Sequence, residues 1–400
     1  MSPALPSRDP APPDGALSQL ALASLTQRDF GVYLHVPFCA ARCGYCDFNT
    51  YTPSELGGLD IDSYLKSMVR EIACASRVLA GQAPAVRTVF VGGGTPTMLG
   101  SDQLAQLVAA VEKEFGFADD VEITTEANPE SVDETSLRQL RAAGFNRISL
   151  GMQSARASVL AMLERKHRPG RALAAVAEAR NAGFEHINLD LIYGAAAETE
   201  DDWLASLDAV TGAGVDHVSA YALIVEDGTA LARKVARGQV AAPDDDVLAD
   251  RYLLAEDKLT GAGMQWYEVS NWAMSDAARC RHNELYWRGQ NWWGFGPGAH
   301  SHVGGVRWWN VKHPRRYSAL LADGSSPAAG RETLSEIDQR LEEIMLGMRM
   351  RQGLPLSRVG SAAPQLMADG LLDPTAFAEG RAALTLRGRL LADSVIRDLS

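Results

Sequence analysis

The sequence predicts an α/β protein: an open, partial barrel of six strand–helix units over residues 29–240, then a smaller C-terminal domain over 241–400. Three observations carry this expectation. Short, nearly continuous apolar runs rich in β-branched residues recur along the chain, as strands covered on both faces should. Segments of helical period alternate with them. Several of these segments stop at a glycine just before the next run. Repeated strand–helix units demand right-handed parallel crossovers, and a closed barrel would want eight of them rather than six.

Taken in order, residues 1–28 read as a flexible leader rich in Pro, Ala and Ser. Pro3, Pro6, Pro10, Pro12 and Pro13 break it up, with Asp9 and Asp14 between them, so it is not a secretory signal. The six candidate strands are residues 31–36, 86–91, 121–125, 147–150, 186–192 and 217–223. Leu65, Met68, Val69 and Ile72 share one helical face; Leu104, Leu107, Val108 and Val111 share another, with Ser101 and Asp102 as candidate caps. Helices over 131–143, 171–182 and 201–211 run into Gly144, Gly183 and Gly212 or Gly214. Pro243 and the acidic run 244–246 introduce a further helix, 247–259. Beyond residue 265 the chain becomes rich in Trp, Gly and His. Residues 336–400 predict helices with a hairpin-like piece near 383–391, on the plan of a small winged helix.

Composition narrows the function. Among 400 residues, 46% are hydrophobic and 22% charged, enough apolar material for a core. The net charge of −12 comes without any clustered basic patch, which argues against nucleic-acid binding. No apolar run reaches the ~18–20 residues of a membrane span, so membrane insertion is not expected. Five cysteines, an odd number, make no disulfide framework. They point to the reducing cytoplasm, where grouped thiols more often hold metal.

Three of those cysteines stand together in Cys39-Ala-Ala-Arg-Cys43-Gly-Tyr-Cys46, directly after the first strand. Thiolates so grouped suit zinc or an iron–sulfur cluster. A structural zinc wants four protein ligands, and no second Cys or His pair completes the set. His35 could serve as a fourth, but a strand position is more simply satisfied by a hydrogen bond. Cys74, on the first helix, behaves as a small hydrophobe.

The spacing C-x3-C-x2-C after a strand resembles the radical S-adenosylmethionine (SAM) superfamily. Tyr33-Leu-His35-Val-Pro37-Phe38-Cys39 and Cys46-Asp47-Phe48-Asn49 are similar to the branch that holds oxygen-independent coproporphyrinogen III dehydrogenases and HemW-type heme chaperones. The resemblance implies a TIM-like (β/α)6 partial barrel, a [4Fe–4S] cluster on Cys39, Cys43 and Cys46, and SAM on the iron left free. Gly92-Gly93-Gly94-Thr95 ends the second strand, where α/β barrels place their chemistry and where glycine lets a ligand approach the main chain. Glu126, Gln153 and Asp190 end the next strands. Their acceptors suit the amine and ribose hydroxyls of SAM, while Arg165 suits its carboxylate. Carried over residue by residue, the family's SAM contacts fall on Tyr33, Tyr45, Gly93, Gly94, Thr95, Glu126, Gln153, Arg165, Asp190 and Ala222. Gly194-Ala-Ala-Ala197 departs from the usual Gly-Leu-Pro, implying a softer loop there.

Within the branch, three features favour the chaperone over the dehydrogenase. Phe48 stands where the dehydrogenase has a fourth cysteine; the leader is short; and Arg281-His282-Asn283-Glu-Leu-Tyr286-Trp287 follows the chaperone pattern H-N-x-x-Y-W. Seven of the eight tryptophans lie between residues 266 and 309, and flat rings can line a porphyrin. His282 is the candidate heme ligand, with Cys280, His300 and His302 nearby. The resemblance implies a heme-acceptor protein as partner, of a respiratory, membrane-associated kind reached by peripheral docking. It leaves the oligomeric state open.

Overall fold

The computed structural model describes residues 9–56, 58 and 60–400. The strands β1 (Phe30–Val36), β2 (Val86–Gly93), β3 (Phe117–Ala127), β4 (Arg147–Gln153), β5 (His186–Tyr193) and β6 (His217–Ala222) pair in parallel, each with the next. Ahead of them stands α1 (Gln19–Ala23). The crossovers carry α2 (Ile61–Val78), α3 (Ser101–Phe115), α4 (Glu134–Ala142), α5 (Ala157–Met162), α6 (Arg171–Asn181) and α7 (Glu200–Ala213), and α8 (Ala230–Ala236) and α9 (Asp245–Gly261) follow β6.

Local chemistry sets these limits. Asp60, Asp133, Thr199 and Asp244 cap α2, α4, α7 and α9 through side-chain oxygens, and Gly214 closes α7 in a left-handed conformation. Two expected starts move. Gly100 rather than Ser101 caps α3, with the Gln103 side chain reaching back to its N–H. Residues Pro129–Ser131 form a separate single turn ahead of α4.

The sheet does not end with these six strands. The antiparallel pair β7 (Gln265–Glu268) and β8 (Asn271–Ala273) extends it beyond β6. On the other side β9 (Asn291–Phe295) lies parallel to β1, followed by β10 (His300–Val303), β11 (Val306–Asn310) and β12 (Ala328–Thr333), for twelve strands in all. Between β8 and β9 sits α10 (Arg281–Trp287), and after β11 and β12 come α11 (Pro314–Ala322) and α12 (Glu336–Gly347). The main core therefore takes in Trp266, Trp272, Trp293 and Trp308, while a second core gathers residues between Ile344 and Leu399.

The sheet curls around α10. Leu285 lies against Gly31 of β1, His282 against Thr88 and Phe90 of β2, and Glu122 of β3 receives two N–H groups of the helix. The outer positions Val89, Ile123, Ile148, Leu189 and Val218 are apolar and buried beneath the helices. The inner positions are polar: Thr88, Glu122, Arg147, Ser149, Asn188, Asp190, His217 and Ser219. This alternation corrects the expectation of strands apolar on both faces. The interior is a lined cavity with a plug, so it favours polar side chains that find partners there.

The expectation of a flexible leader meets two outcomes. Residues 1–8 lie outside the described residues. Residues 9–28 do not hang free: α1 buries Ala21 and Leu22, Leu25 is fully covered, and Asp9 pairs with Arg331 of β12. The hairpin expected near 383–391 is also displaced. Leu354–Pro355 pairs with Arg381–Ala382, and Leu386–Leu390 is a short helix.

Candidate functional site

The loop after β1 is pinned at its base. Cys39 N–H donates to Tyr51 O (3.1 Å), Tyr51 N–H donates to Pro37 O (2.7 Å), and Phe38 packs edge-on against Tyr64 at 4.9 Å. His35 braces the loop from below: Nε2–H donates to Asn49 O at 2.9 Å, and Nδ1 accepts from the Tyr33 hydroxyl at 3.0 Å. Burial lowers its pKa to about 4, so it stays neutral with both nitrogens used. It is a brace and not a fourth metal ligand.

Above this base, Cys43 O accepts from Cys46 N–H (3.2 Å), and Gly44 O accepts from Leu231 N–H of α8 (2.8 Å). The thiols of Cys39 and Cys46 are pushed up, chiefly by burial, with the neighbouring thiols adding to the same effect. All five cysteines are free. Among the described residues no three His, Cys, Asp or Glu side chains converge tightly enough to hold one metal ion. Three unpaired thiols in one loop instead suit a polynuclear iron–sulfur cluster, which offers each thiolate its own iron.

The end of β2 presses directly on that loop. Gly94 N–H donates to Val36 O and Thr95 N–H to Phe38 O, both at 2.8 Å. A Cβ on Gly94 would lie 2.6 Å from Phe38 O and 2.9 Å from Cys39 Sγ. Gly93 has φ of +119° and would meet His35 at 2.7 Å. Only glycine fits either place.

The remaining side chains close the rim. Arg165 points Nη1 at Cys43 Sγ (3.6 Å) and Nη2 at Gly151 O (3.3 Å). Glu126 accepts from Gly93 N–H at 3.0 Å, and burial, then Asp190, raises its pKa to about 7. Asp190 accepts from Ser149 Oγ and Asn188 Nδ2, each 2.8 Å away, and burial pushes it up as well. Burial raises the Tyr33 and Tyr45 phenols. Gln153 holds a left-handed φ of +64°. Gln153 Oε1 and Arg165 Nε are buried without a partner among the described residues. Such orphaned groups beside paired acids suit a zwitterionic ligand that is not present in the chain itself. Ala222 closes β6, paired with Tyr193. Of the expected SAM contacts, Gly93, Gly94, Thr95, Glu126, Gln153, Asp190 and Ala222 lie in or just beyond the C-terminal halves of β2–β6, while Tyr33 is mid-strand in β1, Tyr45 sits in the cysteine loop and Arg165 follows α5.

The opposite end of the barrel holds a second polar cluster that inspection of the sequence missed. Glu122 accepts from Arg147 Nε and from the N–H groups of Arg281 and His282, each at 3.1 Å. Arg147 also donates to Ala278 O and Arg279 O. His217 bridges Asn188 Oδ1 and the Tyr267 hydroxyl, both at 2.7 Å, and that hydroxyl accepts from Cys280 N–H. The available signal was the polar residue at every second position of each strand.

The expected heme ligands lie in and around this cluster. His282 is fully buried, with Nδ1 bonded to Thr88 Oγ1 and Nε2 to the Tyr286 hydroxyl, each at 2.8 Å. Burial lowers its pKa to about 3. This imidazole, stacked on Phe90, has both nitrogens engaged and plugs the barrel floor. Cys280 is likewise buried, its thiol facing Glu122. His302 bonds Gln290 O through Nδ1 and accepts from Gly305 N–H through Nε2. His300 alone of the four is exposed, its ring stacked on Trp309 at 6.0 Å.

Residues 33–210 match the radical SAM superfamily. The heme chaperone HemW of Mycobacterium tuberculosis H37Rv is 55% identical over 382 residues, spanning 94% of this chain and 96% of that protein. The heme chaperone HemW of Bacillus subtilis is 31% identical over 91% of this chain and 97% of its own. Among solved structures, the Escherichia coli coproporphyrinogen III oxidase HemN superposes with a TM-score of 0.81 at 24% identity, covering 97% of this chain and 94% of that one. That likeness establishes a shared fold.

Proposed function

The chain belongs to the HemW family of heme chaperones within the radical SAM superfamily, and from that premise we propose that it binds heme and passes it to an acceptor protein. Full-length similarity to named heme chaperones is the observation that carries this reading. The cluster loop and its rim supply the chemistry the superfamily implies.

In this reading Cys39, Cys43 and Cys46 hold a [4Fe–4S] cluster through their thiolates. When bound, such a cluster would supply one-electron chemistry toward SAM. The chain's own residues orient the nucleoside. Arg165 offers a guanidinium for the carboxylate, and Gln153 Oε1 and Glu126 offer acceptors for the amine. Asp190, held by Ser149 and Asn188, is oriented toward hydroxyl donors. Gly93 and Gly94 allow the main chain to approach without a Cβ in the way. Tyr33, Tyr45, Thr95 and Ala222 complete the wall. Among the described residues no helix is long and apolar enough to cross a membrane. We place the protein in the cytoplasm, with the acceptor a respiratory, membrane-associated protein approached peripherally.

Anaerobically reconstituted protein given hemin tests the proposal. The account expects stoichiometric uptake and transfer to an apo-acceptor, with no conversion of coproporphyrinogen propionates to vinyls. Turnover of the porphyrinogen would place the chain with the dehydrogenases instead.

A further inference from the structure

A cleft of about 630 Å³ opens at the N-terminal ends of the strands, away from the cysteine loop. Its walls are the last turn of α10, β10, α12, and the segment Met350–Arg358 with Arg381. This volume lies within the range of small-molecule sites, roughly 300–1,000 Å³.

The charge of the cleft runs against that of the protein. The chain carries −12 overall, yet five arginines line this one cavity: Arg28, Arg288, Arg340, Arg358 and Arg381. Arg288 and Arg358 are matched by Glu284 and Glu343. Among the described residues, Arg28 donates only to Gly289 O, and Arg381 only to Gln352 O and Gly353 O. Arg340 has no hydrogen-bond or ion-pair partner among the described residues. Among the described residues three guanidinium charges are thus not met by a carboxylate. Of the glutamates that line the cleft, Glu342 already pairs with Arg307 and Glu343 with Arg358; exposed Glu336 is the one acid set against them.

The flat element is Trp287, half-buried on the cleft wall. It is the last residue of His282-Asn-Glu-Leu-Tyr286-Trp287. His282 and Tyr286 fix this helix to the barrel floor, and that anchoring places Trp287. An apolar ring beside unmatched guanidiniums is the chemistry that recognises a planar ligand bearing carboxylates.

We propose that this cleft is the heme site, holding the propionate edge with Arg340, Arg28 and Arg381 and the macrocycle face against Trp287. The assignment rests on the heme-chaperone reading. It gives the H-N-x-x-Y-W segment a positioning role in place of axial ligation by His282. It also sets heme and SAM at opposite ends of the barrel, so the two do not compete.

The test is a titration of reconstituted full-length protein with hemin and with hemin dimethyl ester, followed by absorbance, in wild type and Arg340→Glu. Wild type should prefer hemin. In Arg340→Glu the hemin dissociation constant should rise ~10-fold, as loss of a charge-assisted bond implies, the ester should bind as in wild type, and the melting temperature should not move. Equal hemin affinity in both proteins, or no preference for the free acid in wild type, overturns the cleft assignment and leaves heme binding standing. Failure of wild type to bind hemin at all overturns the chaperone reading and the cleft with it.

Discussion

Replacing Gly94 by Ala isolates the contact between the two loops of the rim. The new Cβ would stand 2.6 Å from Phe38 O and 2.9 Å from Cys39 Sγ, where unstrained contacts lie at about 3.5–4.0 Å. Backbone and thiol must therefore withdraw by about 1 Å. Phe38 cannot yield easily, because its ring is wedged on Tyr64 and Thr95 N–H is bonded to its carbonyl. Overpacking of this kind costs about 1–3 kcal/mol, and it falls on one of the three sulfurs proposed to share a cluster. Iron and sulfide per chain after anaerobic reconstitution should fall well below wild type in Gly94→Ala, while the apoprotein melts only slightly earlier. Gly212→Ala, where nothing lies within 4 Å, should load iron as wild type does. A Gly94→Ala protein with full iron content and a normal response to SAM would refute the claim that this glycine shapes the cluster loop.

Other consequences concern the barrel interior. Arg147→Met leaves buried Glu122 with only the longer contact to Arg281 at 3.9 Å, which should cost about 3 kcal/mol and appear as a marked drop in melting temperature. His282→Ala should destabilise by about 3 kcal/mol through two lost hydrogen bonds and a cavity, whereas the folded protein should keep the wild-type heme spectrum; a changed axial-ligand signature would contradict the plug assignment. Glu126, with a pKa raised to about 7, is protonated on the acid side of that value. SAM affinity measured by calorimetry should therefore weaken as pH falls through about 7, and Glu126→Gln should remove that dependence. The same group gives its folded-state preference at low pH and loses it as pH rises from 4.5 toward 7.

The six parallel strands were legible because they are short apolar runs alternating with segments of helical period, four of them (β3–β6) shortly after a glycine stop at Gly116, Gly144, Gly183 and Gly214. Their ends were underestimated where polar residues such as Asp120, Glu126 and Gln153 belong to the strand. The added strands were not legible. Trp, Gly and His dominate β9–β11, and the short β7 and β8 join an edge made by residues about fifty positions earlier. Such pairing depends on tertiary context more than on local period. The cysteine loop and Gly93-Gly94 could be found from spacing alone. The surroundings of His282 were not legible: a helix inside a barrel turns a polar residue into a floor bond. Only the positions of Thr88 and Tyr286, 194 residues apart from or one helical turn away from that histidine, reveal this.

The most direct test of the account is electron paramagnetic resonance of the reduced, reconstituted protein with and without SAM, in wild type and Cys43→Ser. The account predicts a [4Fe–4S] signal in wild type that changes when SAM is added, and loss of that response in the variant. A wild-type signal indifferent to SAM, or a preparation that takes up zinc and no iron, would contradict it.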